Sequence, residues 1–280
     1  MKFRTIQEPL RNAAPISHDT PILALGSCFT DNIGQRLAAR GFDILHNPMG
    51  PLYNPASLER IISRALDGHI YTQEDLVRDS SGTWHCLDFP LRYSHAQAHT
   101  LLEQINTDFS RLKAQLGKCR ILMITLGTTY VFTHIATDCV AGNCHKLPAA
   151  DFHRHALSME SIVGMWRPLM ERLTPRRVIF TVSPIRHVVD GLHGNNLSKA
   201  TLLLAADALT AHGAEYFPAY EAVMDDLRDY RFYESNLTHP TSFAADYIYE
   251  LFSQTYFSAE TLAKAAAEYK NYLRSQHRIQ

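Results

Sequence analysis

Apolar residues along the chain follow two alternating rhythms. Short apolar, strand-like runs recur at 22–25, 42–45, 121–126, 178–182 and 214–217, and the first reads as a fully buried strand. Between them, residues 31–40, 55–66, 95–116, 159–173 and 198–212 read as amphipathic helices, with apolar positions three or four apart, as in Ile33 and Leu37. Strand and helix alternate, so the pattern predicts an α/β protein whose mostly parallel sheet is covered on both faces. Two more helices are predicted at 241–252 and 259–274; in the first, Phe243, Tyr247, Ile248, Leu251 and Phe252 form one apolar face. Residues 69–93 and 132–152 hold no sustained period and are rich in Gly, Asp, His and Thr, so they are expected to be long functional loops. No internal repeat or linker interrupts the pattern. The expectation is one domain over residues 1–280, with those two insertions and a helical extension at about 257–280.

Composition narrows the function. With 280 residues, 46% of them hydrophobic, the chain can bury one large core. Its 27 Lys and Arg are matched by 28 Asp and Glu, which leaves no charge surplus to hold nucleic acid or an anionic membrane surface. The expected partner is a small-molecule or acylated substrate. No run approaches the roughly 20 apolar residues of a membrane span, and Met1 to Glu8 lack the apolar core of a signal peptide, so a cytoplasmic protein is expected. Five cysteines, an odd number, then argue for free thiols.

In open α/β sheets ligands bind beyond the carboxyl ends of the strands, so the residues following each strand carry the candidate chemistry. Ser27 and Cys28 follow the first strand, Asn47-Pro48-Met49-Gly50 and Tyr53-Asn54-Pro55 the second, and Gly127-Thr128-Thr129-Tyr130 the third. Ser183-Pro184-Ile185-Arg186-His187 follows the fourth, and Asn236-Leu237-Thr238-His239-Pro240 precedes a helix, with Pro240 suited to its first position. The turn at Gly26-Ser27-Cys28-Phe29 places a hydroxyl or a thiol against a helix N-terminus, whose free N–H groups favour developing negative charge.

These motifs, together with Asn143-Cys144-His145-Lys146-Leu147-Pro148 and Asn196-Leu197-Ser198-Lys199, resemble the GSCFA family, related to the SGNH/GDSL-type esterases. The resemblance runs through most of the chain. It implies a three-layer α/β/α fold of the SGNH-hydrolase, flavodoxin-like kind, and hydrolase chemistry on an ester, thioester or related acyl group. By position, the nucleophile of the esterase turn falls on Cys28, with Ser27 the rival one residue away. The esterases' Asp-x-x-His pattern reads Asn236-Leu237-Thr238-His239, so Asn stands where an Asp would orient the base. A thiol fits that departure, because it can exist as a thiolate before substrate arrives, and Asn236 can then orient His239 as base. Gly50 is the counterpart of one oxyanion donor. Thr129 stands where a second donor, an Asn, is expected, so Asn54 or Asn143 can substitute, beside Thr128.

Other residues compete. Lys146, next to His145, can place a positive charge for a carboxylate or phosphate in a substrate-binding loop. Arg186-His187 offers a rival base, with Asp190 three residues on, and Lys199 at a helix start hints at an anion nearby. Cys139, Cys144 and His145 lack zinc spacing, and His95 and His99 lack the intervening Glu of a zinc helix, so no metal is expected. No glycine-rich phosphate loop is present, so no organic cofactor is expected either. Hydrolase and acyltransferase use the same residues. A binding protein that keeps the fold without turnover, and a redox-responsive protein using Cys28, are the alternatives from other classes.

Overall fold

The five strand-like runs pair side by side. In the computed structural model, which describes residues 4–11 and 13–277, the strands in chain order are β1 (Ile22–Gly26), β2 (Ile44–His46), β3 (Val77–Arg78), β4 (Trp84–His85), β5 (Ser94–His95), β6 (Ile121–Leu126), β7 (Tyr130–His134), β8 (Cys139–Ala141), β9 (Phe152–Ala156), β10 (Arg177–Val182) and β11 (Glu215–Tyr216). The helices are α1 (Cys28–Ala38), α2 (Pro55–Leu66), α3 (Ala98–Lys118), α4 (Met159–Leu173), α5 (Gly191–Thr210), α6 (Ala219–Glu221), α7 (Ser242–Tyr256) and α8 (Ala259–His277).

One sheet has the order β11-β10-β6-β1-β2, and every pairing in it is parallel. Counted along the chain this is the doubly wound order 2-1-3-4-5, whose winding reverses between β1 and β6. Alternation along these strands divides the core. Leu23, Leu25, Leu122 and Ile124 pack with residues of α2, α3, α4 and α5, whereas Ile22, Ala24, Ile121 and Met123 pack with α1 and α7. Helices thus cover both faces, which makes three layers. Each fully buried Leu or Ile in them contributes roughly 1.5–3 kcal/mol of transfer free energy.

Several expectations are corrected at element ends. Helix α1 begins at Cys28 rather than at 31, because the buried Ser27 caps it. Helix α3 begins at Ala98, after β5, so His95 and His99 do not share a helix face. Helix α7 is capped by Thr241, whose side chain accepts from Ala244 N, so Pro240 precedes the cap. The two predicted loops contain antiparallel sheets, β3-β4-β5 and β8-β7-β9. Asp88, beyond β4, ties the first of them to α2 through Arg64 at 2.7 Å and to the Tyr71 hydroxyl at 2.9 Å. Among the described residues no helix is long and apolar enough to cross a membrane.

Candidate active site

The winding reversal between β1 and β6 is built by close backbone approach. Gly26 has φ 145°, and a Cβ there would lie 2.3 Å from the Thr125 carbonyl oxygen, so only glycine fits. Asn47 clamps the turn: its Oδ1 accepts from Gly26 N at 2.9 Å and its Nδ2 donates to the Ser27 carbonyl at 3.3 Å. Ser27 has no exposed surface, and its Oγ accepts from Phe29 N at 3.2 Å. The next residue, Cys28, is the first of α1 and is half-buried. Its N–H sits where a helix has no internal acceptor.

The Cys28 Sγ lies 3.1 Å from the Tyr53 hydroxyl. Burial first, and then the bond to Cys28, push the Tyr53 phenol above its ordinary pKa, so it stays protonated. The Tyr53 carbonyl accepts from Gly127 N at 2.8 Å and Thr128 N at 3.0 Å, which joins the loop after β2 to the loop after β6. Asn54 caps α2, its Oδ1 accepting from Ser57 N at 2.8 Å. That bond fixes the amide and leaves Nδ2 as a donor without a partner among the described residues. Tyr53 was legible only as part of the Tyr-Asn-Pro motif and was not among the expected site residues.

A cavity of about 410 Å³ opens here. Of the residues expected from sequence, Cys28, Asn54, Thr128, Asn143, Arg186, His187 and His239 line it, joined by Tyr53, Tyr130 and Cys144. Burial raises the Cys144 thiol pKa. His187 is held through its backbone, its N donating to Asn195 Oδ1 at 2.9 Å, and its ring meets Tyr53 edge-on at 5.9 Å between centroids. Its Nε2 is buried with no hydrogen-bond partner among the described residues. Burial, then the positive charge of Lys199 and the neighbouring His239, push its pKa down to about 4, so the ring is neutral at pH 7. Asp190, expected beside it, pairs instead with Arg154.

The turn at 236–239 departs from the expected Cys-His-Asn arrangement. Asn236 Oδ1 accepts from Thr238 N at 2.9 Å and His239 N at 3.0 Å, which fixes the amide and turns its Nδ2 toward His239 Nδ1 at 3.0 Å. An amide N–H donates to Nδ1 only when that nitrogen carries no proton. The other neighbour of Nδ1 is Thr238 Oγ1 at 3.0 Å, which can accept from it. Asn236 therefore favours the tautomer protonated at Nε2, and Thr238 the one protonated at Nδ1. The Thr238 carbonyl also accepts from Arg186 N at 3.1 Å, tying this turn to the loop after β10.

Helix α5 braces the far wall. Ser198 Oγ accepts from Thr129 N at 2.8 Å, and Lys199 Nζ donates to the carbonyls of Gly127 at 2.6 Å and Ser183 at 2.7 Å. Lys199 is 1% exposed, and burial brings its pKa down to about 7. It lies well inside α5, not at a helix start, and two carbonyls rather than an anion engage it. Four more residues expected at the site stand outside the cavity. The Gly50 N–H is taken by the Asn47 carbonyl at 2.8 Å, and Thr129 is buried behind Thr128. His145 is a buried strut, its Nε2 between the carbonyls of Cys86 at 2.8 Å and Phe89 at 2.9 Å. Lys146 is exposed and does not reach the cavity. Among the described residues no group of three or more His, Cys, Asp or Glu side chains is placed to hold a metal ion.

The model of the GSCFA family matches residues 21–252, a span from the first strand of the sheet into α7 that takes in every residue lining the cavity. No curated protein matches the chain.

Proposed function

The chain belongs to the GSCFA family, and we propose that it cleaves an ester, thioester or related acyl group through an acyl-enzyme on Cys28. The observation that carries this reading is the Cys28 thiol on the first residue of α1, opening into a cavity that also holds His239, His187 and the free amide of Asn54. Kinship with the SGNH/GDSL-type esterases belongs to the same proposal and is supported by the sheet order. Ser27 takes no part, because its hydroxyl is buried and occupied as a helix cap.

In the proposed reaction His239, protonated at Nδ1 and donating to Thr238, accepts the thiol proton at Nε2. Sγ then attacks the acyl carbon, whose oxygen takes up the charge near the Cys28 N–H and Asn54 Nδ2. The tetrahedral intermediate collapses, the leaving group departs with the proton from His239 Nε2, and the acyl group stays on sulfur as a thioester. Water, activated by the same nitrogen, releases the acid and restores the thiol. Tyr53, held protonated, donates to the thiolate. A hydroxyl or amine in place of water makes the enzyme an acyltransferase with the same residues. The second reading, a small-molecule binding protein without turnover, is favoured by one observation: among the described residues Sγ bonds to Tyr53 and to no histidine.

Peptide-resolved mass spectrometry after iodoacetamide labelling at mildly acidic pH, with a fluorophosphonate in parallel, tests the reading. Cys28 is expected to alkylate about tenfold faster than Cys139 or Cys144, to lose that advantage in His239→Ala, and Ser27 to stay unlabelled. Labelling without preference for Cys28 sinks the covalent mechanism and leaves the binding protein.

A further inference from the structure

The loop carrying Arg186 has a second face. Beyond it, α6 runs into a π-helical turn, Ala222–Leu227, that ends at Arg228 in a left-handed conformation with φ 32°. Both features are uncommon, and both concentrate at functional sites. They form one wall of a second cavity of about 400 Å³, and Arg186 lines this one as well as the cavity of Cys28. Tyr220, Tyr230 and Tyr233 supply flat faces around it. The Arg186 guanidinium lies 5.2 Å from the Tyr230 ring centroid and 5.4 Å from that of Tyr233, and its Nε is buried with no hydrogen-bond partner among the described residues.

The charges here do not cancel. Among the described residues no ion pair joins Arg186 or Arg228 to a carboxylate. Of the two carboxylates lining the cavity, Asp229 is taken by Arg231 at 2.9 Å, which leaves Asp225 alone against two guanidinium groups. An oxyanion fits that excess, and a planar ring fits the tyrosines.

We propose that the second cavity binds the oxyanion-bearing aromatic half of the substrate, its ring among Tyr220, Tyr230 and Tyr233 and its carboxylate or phosphoryl group on Arg186 and Arg228. The assignment rests on the acyl-transfer reading, because Arg186, on the border, then places the scissile bond over Cys28. Aromatic esters or thioesters carrying an anionic substituent are the substrate class it selects.

Calorimetric titration of the full chain with phenyl phosphate and benzoate, against benzyl alcohol and inorganic phosphate, tests the cavity without requiring turnover, so its outcome is separate from that of the Cys28 chemistry. Either anionic ring is expected to bind at least about tenfold more tightly than the neutral ring or the bare anion. Arg186→Gln is expected to weaken that binding about tenfold, and Cys28→Ser to leave it unchanged. If Arg186→Gln does not fold, Arg228→Gln, at an exposed position with no ion pair among the described residues, carries the test and is expected to weaken binding severalfold. Equal affinity for benzyl alcohol, no binding of either anionic ring, or unaltered affinity in the arginine variants overturns the proposal. So does a probe that shields Cys28 from iodoacetamide equally well in Arg228→Gln, since it then sits in the first cavity.

Discussion

Two pairs of histidines in this protein differ in how completely their ring nitrogens are used. His85 and His145 lie 5.1 Å apart between ring centroids, and every nitrogen is engaged. His85 bonds Ser94 Oγ at 2.8 Å and Asp79 Oδ2 at 3.0 Å, and His145 bonds Ser94 Oγ at 2.9 Å and two backbone carbonyls. His187 and His239 line the cavity of Cys28 and are unfinished: among the described residues Nε2 of His187 has no partner, and the side-chain hydrogen bonds of His239 are made through Nδ1. The first pair contains an Asp-His-Ser sequence of contacts that looks catalytic on paper, yet it lies outside the cavities described above. What distinguishes the strut from the pair that lines the cavity of Cys28 is therefore how fully the ring nitrogens are engaged, not the identity of the neighbours.

The largest expected effect falls on the strut. Truncating His145→Ala deprives the carbonyls of Cys86 and Phe89 of their donor and opens a buried void, which is expected to cost about 3 kcal/mol of unfolding free energy in a denaturant titration. The alkylation rate of Cys28 in the folded variant is expected to stay unchanged. A loss of Cys28 reactivity in step with stability would erase the distinction between the two pairs.

A smaller effect separates them by pH. His187 has a folded pKa of about 4 against an ordinary 6.5, so between these values only the unfolded chain takes up the proton. Stability is therefore fully present above about 6.5 and falls as the pH drops toward 4, by about 2 kcal/mol after allowing for partial solvent access. His187→Phe, which keeps an aromatic edge against Tyr53, is expected to flatten that part of the pH–stability curve. An identical curve in the variant would mean that the ring is not held neutral by its surroundings.

The sheet was legible in the chain because its central strands are buried on both faces and so appear as short runs dominated by apolar residues, as in Ile121 to Leu126. The small sheets were not: β3, β4 and β5 are two residues each, too short for any alternation to register, and β9, though five residues long, is mostly polar and exposed, so it leaves no apolar run. Cys28, Asn54 and His239 were legible because position after a strand or before a helix is a property of sequence order. The role of His145 was not, because a polar run such as Asn143 to Lys146 reads the same whether its ring faces the cavity or the back of a hairpin. Lys199 was misread for a related reason: its partners are the main-chain carbonyls of Gly127 and Ser183, and a carbonyl leaves no mark in the sequence. Which of Ser27 and Cys28 caps α1 and which opens it was not legible, because it depends on where the helix begins, an end effect of one residue.

The smallest expected effect is a gain, and it bears on the unfinished pair alone. At present Asn236 offers Nδ2 to His239 Nδ1, which opposes a proton there, and among the described residues only Thr238 Oγ1 is placed to accept from it. Asn236→Asp keeps the oxygen that receives the backbone N–H groups of Thr238 and His239, so the turn is preserved. It replaces the opposing donor with a carboxylate oxygen that accepts from Nδ1 and stabilises the imidazolium that the proposed mechanism forms on His239. The variant is expected to alkylate at Cys28 severalfold faster than the parent at mildly acidic pH, with Cys139 and Cys144 unaffected. A slower or unchanged rate would mean that His239 does not act on the Cys28 proton, and the thiol's contact with Tyr53 would then be the whole of its environment that matters.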